Sequence, residues 1–297
     1  ARTGMTPSNA YEKALSRSFR PTPLAVTASV TMDMVFRKFR SYNVVARLEG
    51  RDPRLKNECV IYTAHWDHLG MGTPADGDSI YNGALDNASG VAATLEIARL
   101  FAAHKSELKR TIVFLNTTAE EAGLLGAYHY ADNPLYPLIR TIATINIDGA
   151  NIWGRTRDVV VIGYGLSDLD GYLKKAIEPQ DRYLRPDAEP EKGYYYRSDH
   201  FAFAKKGVPS LYTDSGVEYI SKPPRWGIEA RQRYTTERYH KPSDEYNESW
   251  DLTGAVEDVE ALFRVGLMVS TTDVRPEWHE GSEFKSIRKQ PVKKTTP

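Results

Sequence analysis

Apolar positions along the chain fall into two periods. Short continuous runs rich in β-branched and aromatic residues read as strands: 42–48 (YNVVARL), 59–64 (CVIYTA), 111–116 (TIVFLN), 141–147 (TIATINI), 159–162 and 208–212. Most show no polar alternation, the pattern of a strand covered on both faces. Between them apolar residues recur at helical spacing. In 87–104 the series is Val91, Leu95, Ala98 and then Phe101 or Ala102, with Asn87 and Ser89 placed to cap the start. Residues 119–130, 167–177, 198–205 and 252–271 read as further helices. Strands alternating with helices of this length predict an α/β fold of three layers (α/β/α) around a central, mostly parallel but mixed sheet.

The remainder is less regular. Residues 9–19 have weak helical spacing, and 24–34 (LAVTASVTMDM) alternate like an edge strand. Residues 214–247 are rich in aromatic residues, Arg and Pro and lack a period, so they read as a long functional loop. The division expected from these patterns is an N-terminal segment 1–40, a main domain 41–271, and an extended or disordered tail 272–297 whose lysines serve solubility.

The polar residues cluster where apolar strands end. His65 and Asp67 follow the strand at 59–64. Asp86 follows in a Gly/Asn/Ser-rich turn, Glu120 and Glu121 follow TIVFLN, and Asp148 follows TIATINI. Asp199 and His200 precede a helix, and Tyr239 and His240 close the aromatic loop. Open α/β sheets bind ligands at the carboxyl ends of their strands. Separated His residues with several carboxylates and no Cys make an oxygen and nitrogen donor set, suited to zinc and less well to manganese or cobalt. Two metal ions ~3.5–4 Å apart need a bridging carboxylate and further ligands on each side. Asp86 as bridge, His65 with Asp148, and Glu121 with His240 satisfy that count. Glu120 then stands free as a general base, and Asp67 takes the other N–H of the His65 imidazole.

Composition removes alternatives rather than adding any. Hydrophobic residues make up 41% and charged residues 26% of 297, and 39 basic residues balance 39 acidic ones. Nothing asks for a nucleic-acid partner, and no apolar run is long enough to span a bilayer. Cys59, the one cysteine, reads as a small core residue. The chain opens on Ala rather than Met, without a signal peptide, and reads as a mature form or a piece of a longer precursor.

The motifs AHWDH, GALDNASG, TTAEEAGLLGA, NIDG, RSDHFAF and YHKPSD, in that order, resemble those of the co-catalytic dizinc aminopeptidases, relatives of glutamate carboxypeptidase, the transferrin receptor and glutaminyl cyclase. The resemblance covers roughly residues 40–271. It implies a zinc-exopeptidase-like fold with two Zn2+ per chain, held by His65, Asp86, Glu121, Asp148 and His240. Asp86 is the bridge, Glu120 the general base, Asp67 the orienting acid and Tyr239 an oxyanion donor. It further implies a cis Asp86–Asn87 peptide bond, a peptide substrate, and a secreted or periplasmic location. A monomer is favoured. Some relatives carry an inserted protease-associated domain, and residues 1–40 resemble the downstream edge of one.

Other polar residues read more plainly. His68, Asp199 and His200 are expected to support or pack against the site, and His104, His129 and His279 to lie on the surface. Asp76 and Asp78 read as solvated turn residues within the long turn 69–85. Tyr194–Tyr196 and the aromatic loop would shape a side-chain pocket. Arg197, Arg225 and Arg231 keep open a carboxypeptidase or dipeptidase of the same fold. A one-metal cyclase-like transferase is a further alternative, and a receptor-like relative without catalysis the least favoured, since all five ligand positions are filled.

Overall fold

The structure, a computed structural model, describes residues 4–21, 23–36 and 38–288. The chain divides into two compact units, 1–40 and 41–297. In the first, helix α1 (Pro7–Ala14) is opened by the Thr6 hydroxyl, which accepts the Asn9 N–H at 3.2 Å. The alternation at 24–34 does not form a strand among the described residues: side-chain period alone supplies no ladder partner, and an unpaired strand is not stable.

The second unit is built on a seven-stranded sheet, with strands β1 (Val44–Leu48), β2 (Cys59–His65), β5 (Thr111–Thr117), β6 (Thr141–Asn146), β7 (Asp158–Ile162), β8 (Tyr183–Pro186) and β9 (Ser210–Asp214). Their order is β1-β5-β2-β6-β9-β7-β8. The central four, β5-β2-β6-β9, are parallel, while β1 and β7 run antiparallel to β5 and β9. The expected mixed α/β sheet is therefore present. On β2, Val60 and Tyr62 join one apolar cluster and Cys59 and Ile61 the opposite one; β5 divides Ile112 and Phe114 from Val113 and Leu115 in the same way. Both faces are covered, so neither strand shows polar alternation.

Helices α2 (Ser89–Ala103), α4 (Leu169–Ile177) and α7 (Thr253–Thr271) cover the first face, and α3 (Leu125–Asp132) and α5 (His200–Ala204) the second. Helix α7 approaches β2 closely because position 266 is Gly: a Cβ there would lie 1.9 Å from the Tyr62 hydroxyl, which donates to the Leu262 carbonyl at 2.8 Å.

Several expectations need correction. The helix expected from Ala119 starts only at Leu125, because Ala119, Gly123 and Leu124 have φ of 55°, 100° and 61°, left-handed values incompatible with a helix. The loop 214–247 contains helix α6 (Trp226–Glu237), which buries little beyond Gly227 and Ala230 and so left no apolar period to read. The turn 69–85 contains a hairpin of β3 (Gly70–Ala75) and β4 (Asp78–Tyr81), turned by Asp76 and Gly77, both at positive φ. The Asp-Gly pair is the signal for it. Residues 272–288 are packed rather than extended: Trp278 and Phe284 are buried, and the Trp278 indole donates to the Gly207 carbonyl at 2.9 Å. The short helix α8 (Lys285–Arg288) follows; the tail from Lys289 onward lies outside the described residues. No described helix is long and apolar enough to cross a membrane.

Candidate active site

The C-terminal ends of β2, β5 and β6 deliver three acidic loops and a histidine to one place. His65 is the last residue of β2 and is buried. Its Nε2 lies 3.1 Å from Asp148 Oδ1 and 3.1 Å from Asp86 Oδ1. The other oxygen of Asp86 faces His240, with Nε2 at 3.4 Å, and His240 Nε2 is also 3.0 Å from Glu121 Oε2. Asp86 thus stands between two pairs, His65 with Asp148 and His240 with Glu121. Sets of side chains able to hold a metal ion are His65/Asp86/Asp148, His65/Glu120/Glu121 and His68/Asp86/Glu121, with donor atoms within 4.8 Å of one another. All five expected ligands and Glu120 are therefore brought together.

Local backbone makes this convergence. The Asp86–Asn87 peptide bond is cis. Asn87 then ties two loops: its Oδ1 accepts from Gly90 N–H at the start of α2 and from Gly149 N–H beside Asp148, at 3.0 and 2.9 Å. Ser89, the other expected cap, instead accepts from Ala150 N–H at 2.9 Å. After β5 the left-handed residues Ala119, Gly123 and Leu124 unwind the chain, so Glu120 and Glu121 both reach the cluster. His240 also sits at positive φ, 57°.

The supporting contacts differ from expectation at one point. Asp67 meets His65 through its main-chain carbonyl, which accepts from Nδ1 at 2.8 Å. That leaves Nε2 facing the cluster. The Asp67 carboxylate is occupied elsewhere, accepting from Thr118 Oγ1 at 2.5 Å and Ala119 N–H at 2.8 Å. It holds the left-handed turn before Glu120 rather than the imidazole. Asp199 is buried and accepts from Thr117 Oγ1, and the His200 ring packs against Tyr195 and Tyr212 at 4.6 and 4.9 Å. His68 lies with Nδ1 2.8 Å from Glu121 Oε1. His104 is half-buried on Phe263, not on the surface, and His129 is exposed. Tyr239 lies beside the cluster, its ring stacked on His240 at 3.8 Å.

Two supporting groups are not singled out by the sequence pattern. Ser198 donates to Asp148 Oδ2 at 2.6 Å and accepts from Asn146 at 2.7 Å. Asp244 is buried and accepts from the N–H groups of Leu85 and Asp86, at 3.2 and 3.1 Å, and from the Tyr234 hydroxyl at 3.2 Å. Its place within the YHKPSD motif is the only sequence signal for it.

Electrostatics at the cluster are dominated by acid. Burial and the nearby charge of Asp148 push the Glu120 carboxyl up to about 9. Burial opposes charge on His65, but the Asp148 and Asp86 carboxylates outweigh it and drive its pKa far up. Burial likewise opposes charge on Asp86, yet its contacts with His240 and His65 carry it well below the carboxylate range. Four carboxylates crowd the imidazoles of His65, His68 and His240, an excess of negative charge that a cation offsets. Glu121 Oε1 lies 2.8 Å from His68 Nδ1, and His240 Nε2 lies 3.0 Å from Glu121 Oε2, yet neither Glu121 Oε1 nor His240 Nε2 meets hydrogen-bond geometry among the described residues. Oxygen and imidazole donors gathered at close range without hydrogen bonds between them fit a zinc ion.

Beside the cluster opens a cavity of about 650 Å3, walled by aromatic residues including Trp153, Tyr212, Tyr234 and Tyr239. A mixed sheet with acidic and His-bearing loops at its carboxyl edge, opening on such a cleft, has the architecture of the α/β peptidases. The model of Peptidase family M28 matches residues 43–263, and the chain belongs to that family. An aminopeptidase of Pseudomonas aeruginosa is 31% identical over 225 residues, 72% of this chain and 39% of its own length. A probable zinc metalloprotease of Pyrenophora teres f. teres is 41% identical over 106 residues, 35% of this chain and 22% of its own length. The chain thus spans well under half of these relatives. Among solved structures, LapB from Legionella pneumophila superimposes with a TM-score of 0.58 at 20% identity, covering 77% of this chain and 56% of that one. BSAP, a zinc aminopeptidase from Bacillus subtilis, gives 0.57 at 22%, covering 78% and 50%. These two likenesses establish the fold.

Proposed function

We propose that the chain carries the catalytic domain of a zinc-dependent aminopeptidase, which hydrolyses the N-terminal peptide bond of peptides. The observation that carries this reading is Asp86, set with one oxygen toward His65 and Asp148 and the other toward His240 and Glu121. His65 and Asp148 would hold one zinc ion and His240 and Glu121 a second, with Asp86 shared; manganese or cobalt suits the same donors. Bound there, the metal pair would supply Lewis acidity for the scissile carbonyl and lower the pKa of water toward ~7.

The chain's own groups do the rest. Glu120, within reach of the cluster and outside the two pairs, takes the proton of the attacking water and returns it to the leaving amine. Burial and the charge of Asp148 raise its pKa, and positive charge nearby favours the carboxylate form that a base needs. The Tyr239 phenol keeps its proton, partial burial and the neighbouring carboxylates of Asp86 and Glu121 raising its pKa further, and donates to the oxygen that gains charge. The carboxylates of Asp86, Glu120 and Asp148 line the cavity and offer acceptors to a free α-amine placed beside the metal pair, which would select N-terminal residues. Export to the periplasm or exterior belongs to the same reading and rests on the family resemblance; cell fractionation tests it.

A panel of aminoacyl-nitroanilides and N-blocked peptides, with and without chelator, tests the activity. Cleavage of free amino termini alone, abolished by chelator and restored by zinc, is expected. Turnover of N-blocked peptides would sink the reading. Metal analysis should give two zinc ions per chain.

A further inference from the structure

The cavity has a second polar feature besides the acidic cluster. Asp214, at the end of β9, and Arg231, on α6, both line it. Arg231 Nη2 lies 3.2 Å from Asp214 Oδ2 and donates to the Ser215 carbonyl at 2.8 Å. Both side chains are partly open, 30% exposed for Arg231 and 37% for Asp214. The pair is unequal in what it leaves over. Asp214 has one oxygen on Arg231 and the other on Ser215 N–H at 2.6 Å. Arg231 uses only Nη2, and among the described residues its Nε and Nη1 hydrogens have no acceptor. A guanidinium carries five N–H donors, so most of this one's capacity is unspent.

Arg197 lines the same cavity, and among the described residues its side chain makes no ion pair or hydrogen bond. Apart from the residues of the acidic cluster, the lining therefore holds two guanidinium groups against one carboxylate. Surplus donors and a surplus positive charge, set between aromatic faces, are complementary to a planar anion, above all a carboxylate held by two parallel N–H bonds.

We propose that the cavity selects acidic peptides, with Arg231 as the residue that reads a substrate carboxylate. The carboxylate is carried either by the side chain of the N-terminal residue or by the C-terminus of a short peptide. This rests on the aminopeptidase reading for the bond that is cleaved, but the recognition itself is a binding property. Asp214 tempers the guanidinium and keeps it aimed into the cavity from the β9 side. Tyr234, one helical turn on from Arg231, reaches Asp244 beneath the Asp86 loop, so α6 links this subsite to the reacting end.

The test has two arms, each comparing a carboxylate with its amide. Glutamyl- and glutaminyl-nitroanilide probe the side chain; Leu-Gly and Leu-Gly-amide probe the C-terminus. kcat/KM is measured for the zinc-loaded wild type, Arg231→Gln and Asp214→Asn, with melting temperatures to verify folding. Dissociation constants for Glu-Gly-amide, Gln-Gly-amide and the two leucyl peptides are measured calorimetrically on the Glu120→Gln protein, alone and combined with Arg231→Gln. A tenfold or greater preference for the carboxylate is expected in at least one arm, collapsing in Arg231→Gln and growing in Asp214→Asn. The arm that shows it identifies the source of the carboxylate. No preference in either arm, or a preference that survives Arg231→Gln in a folded protein, overturns the proposal. If no free-amine substrate is cleaved while the calorimetric preference appears and depends on Arg231, recognition stands and the aminopeptidase reading falls.

Discussion

Replacement of Asp244 isolates what holds the shared carboxylate in place. Its buried side chain accepts from the main-chain N–H groups of Leu85 and Asp86 and from the Tyr234 hydroxyl. Two effects compete. Burial, with the charge of Asp86 nearby, raises the Asp244 pKa, while the same three donors pull it down; the net shift is upward. The fold therefore gains nothing overall from the charge, but it does gain from the acceptor. Asp244→Asn keeps a carbonyl oxygen for the amide donors and should cost no more than about 1 kcal/mol. Asp244→Ala leaves two buried N–H groups and a phenol unpaired, each worth roughly 1–3 kcal/mol, so a loss of about 3–5 kcal/mol is expected after partial hydration. Zinc affinity should follow the same order, falling about 10–100-fold for Ala, as for other groups that orient ligands. Urea unfolding of the chelated protein and calorimetric zinc titration read the two quantities. Equal losses for Asn and Ala would mean that charge, not hydrogen bonding, braces the Asp86 loop, and the reasoning would fail.

Glu120→Gln should retain zinc within tenfold of wild type, by titration, yet lose about 10²–10⁴ in kcat; near wild-type turnover removes Glu120 as the base. Gly266→Ala drives a methyl into the Tyr62 hydroxyl and should destabilise by about 3 kcal/mol or more; in a Tyr62→Phe background, which itself costs about 1 kcal/mol, the same change should cost markedly less. Denaturation of the four proteins measures this coupling. Asp199 and His200 predict opposed pH dependences. Burial raises Asp199 to about 7, so its contribution is fully present below its unfolded pKa near ~4 and is lost as pH rises toward 7. Burial lowers His200 to about 3, so its contribution is present above ~6.5 and is lost as pH falls from there. Between pH ~4 and ~6.5 the slopes cancel, each being about 1.4 kcal/mol per pH unit. In chelated protein, Asp199→Asn should steepen acid destabilisation relative to wild type, and His200→Phe should reverse it; parallel stability–pH curves for all three proteins would refute the assignment.

Much of this was legible in the chain itself. Buried strands such as 59–64 and 111–116 announce themselves because both of their faces must be apolar, and that requirement is written residue by residue. The donors His65, Asp86, Glu120, Glu121, Asp148 and His240 follow or border such elements in ordered motifs, so their convergence could be expected before any coordinate. The pattern failed where packing carries little apolar signal. Helix α6 buries little beyond Gly227 and Ala230, and residues 119–124 contain good helix formers that three left-handed residues override.

Which atom does the work is a different kind of information. Spacing places Asp67 beside His65, yet only the fold decides that its carbonyl meets the imidazole while its carboxylate pins the turn ahead of Glu120. The bracing of Asp86 by Asp244, 158 residues away, and the pairing of Arg231 on α6 with Asp214 on β9 likewise depend on separate elements arriving together. Periodicity records which side of one element is buried. It cannot record the partners that another element brings, because a hydrogen bond of about 3 Å is set by the relative placement of whole elements rather than by the local pattern of either.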